Sequence, residues 1–188
     1  MFEEEIMIRL GFIFGTILLL SACGDCCGRR DYAFDTAEAD VYLTSNYGRG
    51  RKIGVVKFND THQGVMVEVA LKGLPKGEHG FHAHEYGDCG NIVNKEGDLV
   101  YAGRAGGHFD PHKIGKHLGP DKGGHLGDFP ALIVSSYGEA YNRFFIPNVK
   151  ASDFRDKAVV VHEGGDNYKD TPLPLGGGGE RIACGVIE

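Results

Sequence analysis

The stretch Gly80-Phe81-His82-Ala83-His84-Glu85-Tyr86-Gly87-Asp88 is the part of the sequence that best predicts the fold and its chemistry. In an extended strand successive side chains alternate between faces, so His82 and His84 would lie side by side on one face, with Phe81 and Ala83 on the other. Two imidazoles on a rigid strand are a suitable basis for a metal site. The alternative is two surface histidines on an ordinary strand, and this stretch alone leaves both open.

Composition limits the class of protein. The chain has 188 residues, enough for one domain with a full core, and its 30 glycines, 7 prolines and absence of tryptophan favour a loop-rich β protein. Its net charge is −6, so we expect no nucleic-acid partner, because proteins that bind polyanions carry basic surfaces. Nine histidines are unusual in a domain of this size.

Short β-favouring runs recur along the chain, and the clearest alternates Val65, Val67, Val69 and Leu71 with more polar residues. Together with the histidine stretch they predict eight strands in an antiparallel sandwich or flattened barrel. The other predicted strands are 39–44, 52–59, 131–135, 139–146, 158–162 and 181–187.

Two long Gly-rich segments interrupt the strands, one from Gly87 to Phe129 and one from Glu163 to Glu180. Loops of this length inside a compact domain are commonly functional, and the first is rich in histidine. It contributes three imidazoles and a carboxylate, a donor set that matches a closed tetrahedral zinc site. These residues are His108, His117, His125 and Asp128.

His162 ends the strand-like run Val159-Val160-Val161-His162, from which it could reach the face that carries His82 and His84. A nitrogen-rich ligand set suits copper(II) better than zinc. The sequence therefore predicts a second metal site beside the zinc site.

At this point several motifs together resemble the copper/zinc superoxide dismutases, in their bacterial exported form. The resemblance covers roughly residues 39 to 188 and implies an all-β, eight-stranded antiparallel Greek-key barrel, an architecture of the immunoglobulin-like sandwich type with two long functional loops. The motifs are Gly80-Phe81-His82-Ala83-His84-Glu85, Gly107-His108-Phe109, His125-Leu126-Gly127-Asp128, Val161-His162-Glu163 and Arg181-Ile182-Ala183-Cys184-Gly185-Val186-Ile187.

The resemblance implies one copper and one zinc ion per subunit. The implied copper ligands are His82, His84, His108 and His162, and the implied zinc ligands are His108, His117, His125 and Asp128. His108 would thus bridge the two metals. Asp166 would link ligands of both metals, and Arg181 would be the active-site arginine that attracts a small anion.

The implied reaction is the dismutation of superoxide to O₂ and hydrogen peroxide, with His108 and Arg181 as catalytic residues. One alternative is a copper- or zinc-buffering protein of the cell envelope on the same fold, and another is a domain retained to bind a partner. A degenerate domain would be expected to lose a copper ligand, the bridge or Arg181, and all are present. The sequence leaves both a monomer and a homodimer open.

The sequence predicts that the N-terminus is a targeting segment rather than part of the folded domain. The apolar run Leu10–Leu20 is followed by Leu20-Ser21-Ala22-Cys23, which resembles the lipobox of bacterial lipoproteins. We therefore expect a signal peptide over 1–22, a lipidated Cys23 with a tether to residue 38, and the folded domain over 39–188. Because Glu3, Glu4 and Glu5 have the wrong charge for a signal peptide, we expect translation to begin at Met7.

This reading places the protein in the bacterial periplasm or cell envelope, anchored to a membrane through lipid on Cys23. The alternative is plain secretion with Cys23 as a spare thiol. Exported proteins retain disulfides, and Cys89 and Cys184 lie on or beside the folded domain, so we expect them to pair, as the resemblance also implies. Cys26 and Cys27 have no predicted role.

Three further histidines have no predicted ligand role. We expect His79 to be structural and bonded to the backbone, and His62 and His112 to be exposed in turns or loops.

Overall fold

The computed structural model describes residues 34–188, so the predicted signal peptide, Cys23, Cys26 and Cys27 lie outside the described residues. None of the helices within these residues is long and apolar enough to cross a membrane. The described chain is built from strands and three short 3₁₀ turns, Gly103–Ala105, Ala151–Phe154 and Leu175–Gly177. The strands are β1 (Thr36–Ser45), β2 (Gly48–Asp60), β3 (Gly64–Lys72), β4 (Gly77–His79), β5 (Phe81–His84), β6 (Ile92–Val93), β7 (Leu99–Val100), β8 (Leu132–Val134), β9 (Glu139–Pro147), β10 (Ala158–His162) and β11 (Arg181–Val186).

Seven strands form one curled antiparallel sheet in the order β5-β10-β11-β1-β2-β3-β9, and β4 pairs separately with β8. The strands β1, β2 and β3 are consecutive hairpin partners, while β11 returns from the far end of the chain to lie beside β1. This order is that of a Greek key. The predicted all-β antiparallel architecture is confirmed.

Alternation of apolar and polar residues explains how the sheet surrounds one core. In β3 the side chains of Val65, Val67, Val69 and Leu71 are buried, while those between them are exposed or half-buried. Aromatic side chains fill the centre, where Phe58 stacks on Phe154 with ring centroids 5.0 Å apart. Burial of such side chains is the main favourable contribution to folding.

The first strand begins at Thr36 rather than at Ala39, so the predicted tether is too long at its C-terminal end. Residues 36–38 pair with β2, with Thr36 opposite Asn59. The missed signal is an alternation in which the small residues Ala37 and Ala39 are buried, while Thr36, Glu38 and Asp40 are exposed or half-buried, a pattern with weak β propensity.

The predicted histidine strand is divided at Gly80. The N–H of Gly80 donates to Gly164 O and its own carbonyl accepts from His162 N–H, so the chain leaves the β4–β8 pair there and joins β10 as β5. The first long loop also contains the small hairpin β6–β7, which sequence periodicity did not predict.

Candidate metal centre

The open edge of β5 organises the site. The strand is the last of the seven-stranded sheet, and the long loop after it pairs with its free edge: Ala83 N–H donates to Gly127 O (2.9 Å) and Phe109 N–H donates to Ala83 O (2.8 Å). This register places His84 beside His108 and His82 beside Asp128. Residues distant in sequence are thereby fixed as neighbours by main-chain hydrogen bonds.

The first group of side chains that could hold a metal ion contains four imidazoles, and one ring nitrogen from each lies within 4.8 Å of those of the others. Its members are His82, His84, His108 and His162. Pairing of β5 with β10 brings in His162, whose N–H donates to Gly80 O. His82 and His84 are 0% exposed, so the surface-histidine alternative is wrong.

The hydrogen bonds of these rings show which nitrogens are available. Nδ1 of His84 donates to Gly106 O (3.0 Å), which leaves its Nε2 with a lone pair 3.4 Å from Nε2 of His162. Within the described residues, the buried Nδ1 of His82 and Nε2 of His108 have no hydrogen-bond partner. Buried polar atoms are normally paired, so this convergence of unpaired nitrogens fits a bound cation.

The second group contains three imidazoles and one carboxylate. It comprises His108, His117, His125 and Asp128. The Nδ1 atoms of the three histidines lie 2.9, 2.9 and 3.1 Å from the same oxygen, Oδ1 of Asp128. The other oxygen, Oδ2, accepts from the N–H groups of Leu118 and His125, which fixes the orientation of the carboxylate. This donor set fits a structural zinc site.

Asp166 connects the two groups. Its Oδ2 lies 2.7 Å from Nε2 of His82 and its Oδ1 lies 2.8 Å from Nε2 of His117. His117 therefore has a carboxylate at each ring nitrogen, although a neutral imidazole has only one N–H to donate. Its Nδ1 lies 2.9 Å from Asp128 Oδ1 without forming a hydrogen bond to it, so this buried nitrogen needs a second proton or a metal cation.

Burial and the two carboxylates set the protonation of the metal-free site. Burial opposes charge on His117, but Asp128 and Asp166 outweigh it and raise its pKa to about 9. Burial lowers the pKa of His108 to about 4 and that of His162 to about 3. Burial also opposes ionisation of Asp128, but the hydrogen bond from His108 and the adjacent charge of His117 hold its pKa well below its usual range.

Arg181 lies at the start of β11 and is half-buried. Its guanidinium donates to Ala102 O (2.7 Å) and to Gly106 O (2.6 Å), the same carbonyl that orients His84. Its charge contributes to the low pKa of His84, after burial. A fixed positive charge therefore lies beside the four-imidazole group.

A disulfide joins Cys89 to Cys184, with Cα atoms 5.8 Å apart, as predicted. Cys184 is on β11 and Cys89 is on the loop that carries Gly106, so the bond ties this loop to the strand of Arg181.

The remaining histidines lie where the sequence predicted. Both ring nitrogens of His79 face backbone carbonyls, of His162 (2.7 Å) and Pro75 (2.9 Å), while His62 and His112 are exposed. The sequence did not predict a role for Tyr168 and Asp170. Both lie in the second long loop and contact His117 of the second group, which we call the zinc-type group. Their only sequence signal was alternate spacing after Asp166.

The sequence matches a known protein family and is similar to characterised members of it. The sequence model of the copper/zinc superoxide dismutase family matches residues 52–187. The chain is similar to the superoxide dismutase [Cu-Zn] of Escherichia coli K12, with 48% identity over 152 residues, 80% of this chain and 87% of that protein.

Solved structures of copper/zinc superoxide dismutases are also similar to the structure of this chain. The Cu/Zn superoxide dismutase from Brucella abortus has a TM-score of 0.77 at 39% identity, and the monomeric copper, zinc superoxide dismutase from Salmonella enterica has 0.70 at 45%. Each comparison covers 82% of this chain and 100% of the other.

We predict that the metal-free protein loses stability as the pH falls from 6.5 towards 4. The buried His84, His108 and His162 have pKa values below those of the unfolded chain, so unfolding takes up protons in this range. Each group adds a slope of up to about 1.4 kcal/mol per pH unit. The free energy of unfolding can be measured by urea titration of the metal-free protein at several pH values between 4 and 6.5.

A pair of variants separates these buried groups from exposed ones. His162→Asn is expected to reduce the slope, and His112→Asn, at an exposed position, to leave it unchanged. Equal slopes in wild type and His162→Asn would contradict the prediction. On the alkaline side, His117 loses its stabilising contribution as the pH rises through about 9.

Proposed function

Because this chain belongs to the copper/zinc superoxide dismutase family and is a superoxide dismutase, we propose that its two imidazole groups hold the copper and the zinc. Copper would be held by His82, His84, His108 and His162, and zinc by His108, His117, His125 and Asp128. The membership of His108 in both groups is the observation that carries this assignment. Its Nδ1 faces Asp128 Oδ1, and its Nε2 is the unpaired nitrogen beside His82.

The donor chemistry supports the same division. Four nitrogen donors suit copper(II), whereas three nitrogens and a carboxylate suit zinc. Asp166 would fix one imidazole of each set through Nε2, so that Nδ1 of His82 and Nδ1 of His117 present their lone pairs. Such outer contacts orient metal-binding histidines.

Copper, when bound, would supply the one-electron redox chemistry of dismutation, in which two superoxide anions and two protons give O₂ and hydrogen peroxide. The protein supplies proton transfer and positioning. Nε2 of His108 can hold a proton while Nδ1 keeps its place beside Asp128.

Arg181 would attract and orient the anion. Two backbone carbonyls fix its guanidinium, so the charge is already in place when superoxide arrives. A fixed charge in a cleft raises the rate of encounter with a small anion and makes it sensitive to salt.

We also propose that the protein works in the cell envelope as a lipoprotein anchored through Cys23, after removal of residues 1–22. The Leu20-Ser21-Ala22-Cys23 sequence supports this, as does the disulfide, because such bonds persist in oxidising compartments. The tether would then end before Thr36.

The first test is superoxide dismutation by the chain from Cys23 onward with Cys23→Ser, assayed together with its copper and zinc content. We expect copper-dependent activity that falls about 100-fold or more in His108→Ala, since proton transfer alone contributes that much. One copper and one zinc with negligible turnover would favour the metal-buffering alternative instead.

Arg181→Gln should lower kcat/KM about tenfold or more and flatten its dependence on ionic strength, because the steering charge is removed. Metal content should stay unchanged, since Arg181 belongs to neither ligand group. Arg143→Gln, on the exposed face of β9, is the control for loss of a positive charge. An unchanged salt dependence in Arg181→Gln would argue against steering.

The anchor can be tested in a bacterial host by membrane fractionation of the full chain. We expect the wild-type protein in the membrane fraction and Cys23→Ser in the soluble fraction, because one thiol carries the lipid. Cys26→Ser is the matched control and should fractionate like wild type. Identical fractionation of wild type and Cys23→Ser would reject the anchor.

A further inference from the structure

The segment between β10 and β11 presents three alternate residues, Asp166, Tyr168 and Asp170, to His117. Asp166 contacts Nε2 of the His117 ring, Tyr168 packs against the face of that ring, and Asp170 accepts the His117 backbone N–H. His117 itself is 0% exposed.

His117 depends on this segment more than the other members of its group do. His108 and Asp128 are held on the edge of β5 by the main-chain pairing described above. His117 instead follows a run of exposed residues, 111–116, and lies outside every strand. The first loop holds the residues on either side of it, since Lys116 O accepts the His125 N–H and Leu118 N–H donates to Asp128 Oδ2, but the backbone N–H and Nε2 of His117 itself are held from the second loop.

Asp170 holds the backbone of His117. Its Oδ2 accepts the His117 N–H at 3.0 Å, and its Oδ1 accepts from Leu175 N–H at 3.4 Å. A buried N–H without an acceptor is unfavourable, so Asp170 fixes both the place and the direction of this peptide group.

Tyr168 covers the ring and the residues after it. Its ring lies nearly parallel to that of His117, with an interplanar angle of 25° and centroids 6.4 Å apart. It also lies directly against Gly119, where an added Cβ would come within 2.4 Å of Tyr168 Cδ1.

Tyr168 is itself fixed at both ends. Its hydroxyl accepts the N–H of Ala131, and its own N–H donates to Asp166 Oδ1 at 2.8 Å. It therefore joins the carboxylate that links the two imidazole groups to the chain just before β8.

We propose that Tyr168 and Asp170 are positioning residues that hold His117 in place and so determine how slowly zinc leaves the site. The inference rests on the proposed assignment of His117 as a zinc ligand. Removal of such outer contacts commonly costs 10–100-fold in metal affinity. Neither residue belongs to a ligand group, so the ligand set itself would remain complete without them.

The test is zinc release from the full chain loaded with copper and zinc, followed with the chelator 4-(2-pyridylazo)resorcinol. We expect Asp170→Ala and Tyr168→Ala to release zinc about 10–100-fold faster than wild type, while copper is retained. Asp170→Asn keeps an acceptor oxygen and should restore slow release. Tyr168→Phe keeps the ring and should release zinc more slowly than Tyr168→Ala. Lys169→Ala, at an exposed position in the same segment, is the control.

Two results would overturn the inference. One is wild-type zinc release in both alanine variants. The other is loss of copper and zinc together, in step with a lower unfolding temperature, which would indicate general destabilisation. A wild-type chain that takes up no zinc would defeat the proposed function as well, and this is seen before any variant is compared.

Discussion

The pairing of a long loop with the open edge of β5 is the constraint on which the site depends. Two main-chain hydrogen bonds through Ala83 set the register, and that register places His108 beside His84 and Asp128 beside His82. A shift of one residue would turn every side chain of the strand to the opposite face. Phe81 and Ala83 lie in the hydrophobic core, so burial of those side chains also fixes where the imidazoles point. Core packing and ligand placement are therefore one structural requirement.

Charge is the second organising feature. Two buried carboxylates, Asp128 and Asp166, face imidazole nitrogens from both groups, and His117 lies between them. A buried carboxylate is costly unless it is paired. The metal-free protein meets this need with a proton on His117, whereas a metal cation would meet it with a full ligand set. The two carboxylates that raise the pKa of His117 would therefore also favour a bound metal cation.

The antiparallel β class and the histidine-rich motifs could be predicted from local patterns of residue types, whereas the Greek-key order and the shared role of His108 were expected from the resemblance to a known family. His-x-His on a strand and the Gly-His motifs of the loop are examples. The start of β1 was missed because its buried residues, Ala37 and Ala39, are small and carry little β signal. The division of the histidine strand at Gly80 follows from hydrogen bonds to residues 162 and 164. The contacts of Tyr168 and Asp170 with His117 join two loops. Neither can be read from local sequence, because both depend on how distant segments meet.

The two ligand groups differ in what supports them. His82, His84 and His162 lie on the paired strands β5 and β10, so three of the four nitrogens of that group are positioned by the sheet itself. The zinc-type group draws all its members from one loop, and His117 is held in part by contacts from a second loop. Ordering a loop costs conformational entropy that a preformed strand does not. A metal at the first group would consequently bind to ligands that the sheet has already placed, whereas a metal at the second would also stabilise the arrangement of the two loops around it.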